Sequence, residues 1–252
     1  MNPNPWLVVA KPLPQARMRL FCLPYAGGGT AVYNRWHRYL PDTIELVSLR
    51  LPGRENRLME RPFTNLNDLL PELGAALADA LDKPFALFGH SMGAMIAFEL
   101  TRWLRREKRP LPQRLMVSGF RAPHLPPNRP PIHHLPNAEF LAEVKLLGGT
   151  PQAVLNHEEL LELLLPLLRA DFTLVGTYAW GEERPLTLPI TAFGTADDPI
   201  ATPAQLGAWQ QHTTAVCAVH LFPGDHFYLH GEGEALVGRV VEEVLGDWRL
   251  GD

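Results

Sequence analysis

Residues 85–100 of the chain read FALFGHSMGAMIAFEL. The four residues before Gly89 form a short apolar run typical of a buried strand, and apolar side chains follow Gly93 at helical spacing. Between these two elements, residues 89–93 match G-x-S-x-G, the pattern of a serine held at a sharp strand-to-helix turn. The segment therefore predicts a nucleophilic Ser91 at the carboxyl end of a strand. The alternative is an ordinary tight turn with an unreactive serine.

Apolar runs and helical periodicities alternate on both sides of this segment. Further runs typical of strands begin at Met18 and cover residues 44–49, 114–118, 188–193 and 215–222. Helical spacing of apolar residues is found in residues 30–40, 67–81, 94–104, 138–147, 157–175 and 234–248. This alternation predicts an α/β fold with a mostly parallel central sheet that carries helices on both faces.

A proline-rich stretch interrupts the alternation. Eight of the 25 prolines lie within residues 110–136, and proline is excluded from central parallel strands because it lacks a backbone donor. The strand pattern resumes near residue 188. We therefore expect one domain over residues 1–252, with a helical cap inserted at about residues 122–185. A proline-rich linker between two domains is the alternative.

Composition narrows the class of protein. The 252 residues are 46% hydrophobic, enough for a sizeable core, and the 23 basic and 27 acidic residues give a net charge of −4. No basic block indicates nucleic-acid binding, and no apolar run approaches the roughly 18–20 residues of a membrane span. Two cysteines cannot form a disulfide framework, and the N-terminus lacks the features of an export signal. We expect a cytoplasmic globular protein.

A serine nucleophile requires a general base and an acid that orients it. In hydrolases with this serine turn, the acid precedes the base along the chain, and the histidine follows the last strand. His226 occupies that place, and His230 lies in the same loop. Asp197 and Asp198 follow the preceding strand. We favour Asp198, because the proline after it biases its backbone towards an extended conformation.

The reaction also requires two backbone N–H groups that bind the developing oxyanion. One is predicted at Met92, directly after the serine, and the other at Ala26 in the glycine-rich loop after the first apolar run. A phosphate-binding loop is the alternative for that loop, but no Lys-Ser/Thr pair follows it. No metal-ligand pattern such as H-E-x-x-H is present, so we expect neither a metal nor a cofactor.

These residues resemble a known family. The chain is similar to the type II thioesterases that accompany nonribosomal peptide and polyketide synthetases, which are free-standing α/β-hydrolases related to the mammalian medium-chain fatty-acid thioesterase. The resemblance covers nearly the whole chain, and L-P-G-R-E distinguishes it from general lipases and esterases. It rests on five segments, which read PYAGG at 24–28 with Trp36 after it, LPGRENR at 51–57, GHSMG at 89–93, LRADF at 168–172 and GDHF at 224–227.

The chain departs from the family pattern at two places. Asp225 stands where the family often has the second glycine of Gly-Gly-His-Phe, and Thr195 stands where it often has a glycine before the acid. Aligning Thr195 with that glycine again selects Asp198. Arg54 and Arg57 are candidates to bind the phosphate of a substrate arm attached to a carrier protein. Loop arginines are more often solvated, so neither is included in the predicted site.

The resemblance implies hydrolysis of acyl or aminoacyl thioesters held on the phosphopantetheine arm of carrier protein domains, which would clear misprimed or stalled synthetases. The expected partners are such a carrier and its acyl thioester, with no nucleic acid and no membrane, and a monomer is expected. One alternative is a serine esterase or lipase that acts on free small esters. Another is a binding protein on a catalytically idle α/β-hydrolase scaffold.

Overall fold

A seven-stranded sheet forms the centre of the molecule, in the strand order β1-β3-β2-β4-β5-β6-β7. The computed structural model describes residues 4–148 and 157–248. The strands are β1 (Leu7–Val8), β2 (Met18–Leu23), β3 (Ile44–Leu49), β4 (Phe85–His90), β5 (Arg114–Ser118), β6 (Ile190–Thr195) and β7 (Cys217–Phe222).

All neighbouring strands run parallel except β1, which pairs antiparallel with β3. The mostly parallel sheet that the sequence predicts is thus confirmed. The sequence pattern missed β1, because a two-residue strand is too short to show a periodicity. Parallel pairing brings the carboxyl ends of β2 to β7 to one edge of the sheet, and the loops with the predicted site residues leave from this edge.

The α-helices of the described residues are α1 (Leu66–Leu77), α2 (Met92–Arg106), α3 (Asn137–Leu147), α4 (Glu158–Gly176), α5 (Pro203–Gly207) and α6 (Gly233–Trp248). The helix predicted over residues 30–40 is wrong: two short 3₁₀ turns, Thr30–Tyr33 and Trp36–Arg38, take its place. Side-chain contacts hold these two turns. The Tyr33 hydroxyl donates to the Leu23 carbonyl at 2.6 Å, and the ring centroids of Trp36 and Phe88 are 4.9 Å apart.

Two apolar cores cover the two faces of the sheet. On β4, Phe85 and Leu87 pack into one core with α1 and α2, whereas Ala86 and Phe88 pack into the other with α6 and the two 3₁₀ turns. Alternate residues of one strand point to opposite faces. Because both faces are covered, β4 is fully buried, which explains its continuous apolar run.

The chain between β5 and β6 leaves the sheet. Its described residues contribute no strand to the sheet and contain α3 and α4, which share a small apolar cluster around Phe140, Val144 and Leu168. The part of the predicted cap at residues 149–156 lies outside the described residues. Among the helices that are described, none combines the length and the hydropathy needed to cross a membrane.

Candidate active site

Ser91 lies at the sharp turn between β4 and α2. Its backbone is in the left-handed region, with φ 52° and ψ −115°, and its N–H donates to the Ser118 carbonyl at 2.7 Å. A Cβ on Gly93 would lie 2.2 Å from the Leu23 carbonyl oxygen, and one on Gly89 would lie 2.1 Å from the Gly93 oxygen. Only glycine fits at these two positions, and the turn holds Ser91 in a conformation that costs about 1–3 kcal/mol.

Asp198 holds His226. The Nδ1–H of His226 donates to Asp198 Oδ2 at 2.7 Å, and Asp198 Oδ1 accepts the Ile200 N–H at the same distance. Asp198 is 2% exposed, whereas Asp197 is exposed to solvent. Of the two candidate acids, the structure therefore pairs Asp198 with the imidazole. This bond leaves Nε2 of a neutral His226 as a proton acceptor.

The rival histidine has another partner. His230 is exposed, and its Nε2 lies 3.0 Å from the Tyr25 hydroxyl. His226, in contrast, is 3% exposed and lines the same cavity as Ser91. The structure thus brings Ser91, His226 and Asp198 towards one place at the carboxyl edge of the sheet, and it directs His230 elsewhere.

A cavity that is partly open to solvent lies beside Ser91. Its walls come from the proline-rich loop, from α3 and α4, and from the loops after β2 and β5. The lining is mainly apolar and includes Phe120, Ile132, Val144, Phe172 and Val175. Such a lining suits an apolar group next to the serine.

The two predicted oxyanion donors lie beside the serine turn. Met92 is the first residue of α2, where backbone N–H groups have no acceptor within the helix. Ala26 lines the cavity, and within the described residues its N–H has no acceptor. Its neighbours are held, since the Gly28 N–H donates to the Tyr25 carbonyl at 2.9 Å and the Gly27 N–H to Asp171 Oδ2 at 2.8 Å.

Behind the site lies a polar network that was not predicted from the sequence. His90 Nδ1 lies 2.8 Å from Ser118 Oγ, which lies 2.7 Å from the Tyr228 hydroxyl. The His90 ring is fully buried 4.9 Å from the His226 ring. Burial, together with nearby His226, holds the pKa of His90 well below its usual value, so His90 stays neutral and adds no positive charge beside His226. A histidine within G-x-S-x-G was the available signal.

The expectation that Arg54 and Arg57 are solvated is wrong. Arg54 is 4% exposed and pairs with Asp171 at 2.8 Å, and Arg57 is 6% exposed and pairs with Glu60 at 2.6 Å. Burial raises the pKa of Asp171 against the opposing attraction of Arg54. Asp171 lies 117 residues from Arg54, so the pair cannot be read from local sequence. Among the described residues, no three His, Cys, Asp or Glu side chains converge as a metal site.

Comparison with known proteins gives a consistent family. The model of the thioesterase domain family matches residues 18–245. Linear gramicidin dehydrogenase LgrE of Brevibacillus parabrevis is 43% identical, covering 100% of this chain and 96% of LgrE. Gramicidin S biosynthesis protein GrsT of Aneurinibacillus migulanus is 43% identical, and the match covers 90% of this chain and 89% of GrsT. The solved structure of the type II thioesterase BorB, from the borrelidin biosynthetic cluster, is 35% identical and has a TM-score of 0.85. The match covers 95% of this chain and 97% of BorB.

The name of LgrE states a dehydrogenase, whereas the family model and BorB agree on a thioesterase. The present sequence contains no G-x-G-x-x-G, the dinucleotide-binding fingerprint of many dehydrogenases. It does contain the serine turn and the paired histidine and aspartate described above. The chain belongs to the thioesterase domain family, as a type II thioesterase with the α/β-hydrolase fold.

Proposed function

We propose that the protein hydrolyses acyl and aminoacyl thioesters on the phosphopantetheine arm of synthetase carrier proteins, and so clears misprimed or stalled modules. The observation that carries the proposal is the junction of a strained Ser91 with a cavity that His226 also lines, where His226 is bonded to the buried Asp198. The proposed enzyme is a cytoplasmic monomer that needs no metal and no cofactor of its own.

In the proposed mechanism, Ser91 Oγ attacks the thioester carbonyl carbon while Nε2 of His226 accepts the hydroxyl proton. Asp198 keeps Nδ1 protonated and stabilises the imidazolium. The N–H groups of Ala26 and Met92 bind the tetrahedral oxyanion. The C–S bond then breaks, and the proton on His226 passes to the departing thiolate. Water, deprotonated by His226, attacks the acyl-enzyme and releases the acid and Ser91.

The cavity supports an acyl thioester as substrate. Its apolar walls suit an acyl chain, and its open side leaves room for a flexible arm to enter. We assign the described part of residues 122–185, which forms one wall of the cavity, to a cap over the site. The names of relatives support the biosynthetic setting: GrsT belongs to gramicidin S biosynthesis, and BorB belongs to the borrelidin biosynthetic cluster.

The test compares one acyl group on three leaving groups: a carrier-bound phosphopantetheine thioester, the free pantetheine thioester and an oxygen ester. We expect the highest kcat/KM for the carrier-bound thioester and no turnover above background for Ser91→Ala, which should keep the thermal stability of the unmodified protein. Preference for the free oxygen ester would instead indicate an esterase. Absence of turnover on all three, with the carrier still bound, would indicate an idle scaffold.

A further inference from the structure

The glycine-rich loop after β2 is held by a buried ion pair that the mechanism above does not use. Asp171, on α4, accepts the Gly27 N–H at 2.8 Å through Oδ2 and the Arg54 Nη2 at 2.8 Å through Oδ1. Nη1 of Arg54 donates to the Gly28 carbonyl at 2.6 Å. The two side chains are 2% and 4% exposed. They therefore fix the N–H of one glycine and the carbonyl of the next.

Helix α4 also packs directly on this turn. Gly27 has φ +76°, and a Cβ placed on it would lie 2.6 Å from Cδ2 of Leu168, which precedes Asp171 by one helical turn. The turn conformation and the close approach of the helix both require glycine at this position. The conformation of the loop thus depends on the position of α4.

The residue after Arg54 holds the other end of the same loop. Glu55 Oε1 accepts the Thr30 N–H at 2.6 Å, and Oε2 accepts Arg50 Nε at 2.7 Å. Although burial opposes the shift, the hydrogen bonds from Arg50 and Thr30 lower the pKa of Glu55. Glu55 itself is in the left-handed region at φ 55°. The two charged residues of the L-P-G-R-E segment therefore hydrogen-bond the glycine-rich loop at two places, Arg54 at Gly28 and Glu55 at Thr30.

Glycine-rich backbone is flexible, whereas an oxyanion donor must be held to within about 0.5 Å of its working position. Burying two charges is expensive unless both are paired, and an apolar pair of similar size would often be as stable. Stability alone therefore does not account for this pair.

We propose that Arg54, Glu55 and Asp171, here termed the loop clamp, are positioning residues that hold the Ala26 N–H at the oxyanion. The loop clamp touches the glycine loop and not the reacting atoms. It ties the oxyanion donor to α4, so the hole is complete only while α4 is docked on the loop. This inference rests on the proposed function, because that function gives Ala26 its role.

The opposite edge of the sheet offers a matched control. Glu45 of β3 accepts a hydrogen bond from the Leu13 N–H at 2.8 Å and one from Arg19 Nε at 2.9 Å. Like Asp171, it therefore binds one backbone N–H and one arginine. Glu45 is 7% exposed and lies at the amino end of its strand, away from Ser91. A loss of function that follows from weakened folding alone should follow the loss of thermal stability in each variant, so the stability of both is measured.

The experiment compares the double variant Asp171→Leu/Arg54→Met with Glu45→Leu/Arg19→Met. Each variant removes both charges of a pair and leaves no buried charge unpaired. Four quantities are measured: kcat, KM, the Kd of a non-cleavable thioether analogue, and the Kd of an alkyl trifluoromethyl ketone. The ketone adds Ser91 Oγ to its carbonyl carbon and forms a tetrahedral oxyanion, whereas the thioether resembles the bound substrate.

For the loop-clamp variant we expect kcat and ketone affinity to fall by about 10²–10³-fold, while KM and thioether affinity change less than about 3-fold. The control should lose neither kcat nor ketone affinity. Asp171→Asn/Arg54→Met also removes both charges but keeps an acceptor oxygen for the Gly27 N–H, so it should recover part of kcat; it also serves as the test variant if the first double variant does not fold.

Equal losses of ketone and thioether affinity, or equal losses of kcat in both double variants, would overturn the loop clamp as a positioning device. So would an unchanged kcat in the loop-clamp variant while Ser91→Ala is inactive, which would leave the proposed function standing. Full turnover in Ser91→Ala would instead defeat the proposed function itself, so the two failures are distinguishable.

Discussion

The carboxyl and amino edges of the sheet differ in how many residues have a left-handed backbone. At the carboxyl edge, the loops after β2, β3, β4, β5 and β7 each hold at least one residue with positive φ, namely Gly27, Gly53, Glu55, Ser91, Gly119 and Gly224. At the amino edge, the described loops hold only Lys108, which follows α2. Both edges carry a carboxylate–arginine pair, which is buried at the carboxyl edge and partly buried at the amino edge.

This difference indicates what each ion pair does. At the amino edge, the pair of Arg19 and Glu45 joins adjacent strands that already have a regular partner. At the carboxyl edge, the pair of Arg54 and Asp171 holds a glycine turn that has no ladder to support it. Strained backbone persists where its surroundings fix it, and such positions cluster at active sites. The two edges should therefore respond differently to mutation.

The largest expected effect is at the carboxyl edge and concerns Asp198. Asp198→Asn removes the charge that stabilises the imidazolium and the acceptor that fixes the tautomer, so kcat/KM should fall by about 10⁴-fold. Asp197→Asn is the control, because that side chain is exposed and has no bond to His226. Thioester hydrolysis measures both. A larger loss in Asp197→Asn than in Asp198→Asn would contradict the pairing.

The next effect concerns folding and compares two glycines. Gly93→Ala would place a Cβ 2.2 Å from the Leu23 carbonyl oxygen, so the free energy of unfolding should fall by about 3 kcal/mol. Gly238 lies inside α6 with nothing within 4 Å of an added Cβ, and Gly238→Ala should raise stability by about 0.5–1 kcal/mol. Denaturant unfolding measures both. Equal effects at the two sites would remove the argument from close packing.

The smallest effect depends on pH and concerns the segment between β6 and β7. His212, just before β7, is 6% exposed and lies 2.8 Å from His124, and burial lowers its pKa to about 4. An unfolded histidine has a pKa of about 6.5, so as pH falls from 7 to 5 the unfolded chain binds a proton that the folded chain does not. Stability should therefore decrease over this range, by up to about 2 kcal/mol from His212.

His212→Gln should reduce this pH dependence of Tm, whereas substitution of the exposed His134 by Gln should leave it unchanged. An unchanged slope in His212→Gln would show that this histidine is not the titrating group.

The sequence predicted what local patterns encode. The strand β4, the turn at Ser91 and the start of α2 are contiguous, so the apolar run and the two glycines were sufficient to place them. The candidates Asp198 and His226 were predicted from the strands that precede them in the sequence, and the structure has β6 and β7 at those places. Their mutual bond at 2.7 Å required the fold.

Long-range pairs could not be predicted in this way. Arg54 resembled a solvated loop residue, because its partner lies on α4 and nothing near it in the sequence indicates burial. The same applies to the Ser118–Tyr228 bond, which joins residues 110 positions apart. The 3₁₀ turns of residues 30–38 replaced a predicted helix because contacts to β2 and β4 overrode an apolar spacing.

The role of Ser91 as the nucleophile is tested most directly by locating the acyl group during turnover. A carrier-bound thioester is mixed with the enzyme, the reaction is quenched in acid within one turnover, and the acyl-enzyme is digested and mapped by mass spectrometry. We expect a transient acyl group on the peptide that contains Ser91, and no such group in Ser91→Ala. Acylation of another residue, or hydrolysis with no acyl-enzyme despite rapid sampling, would contradict this expectation.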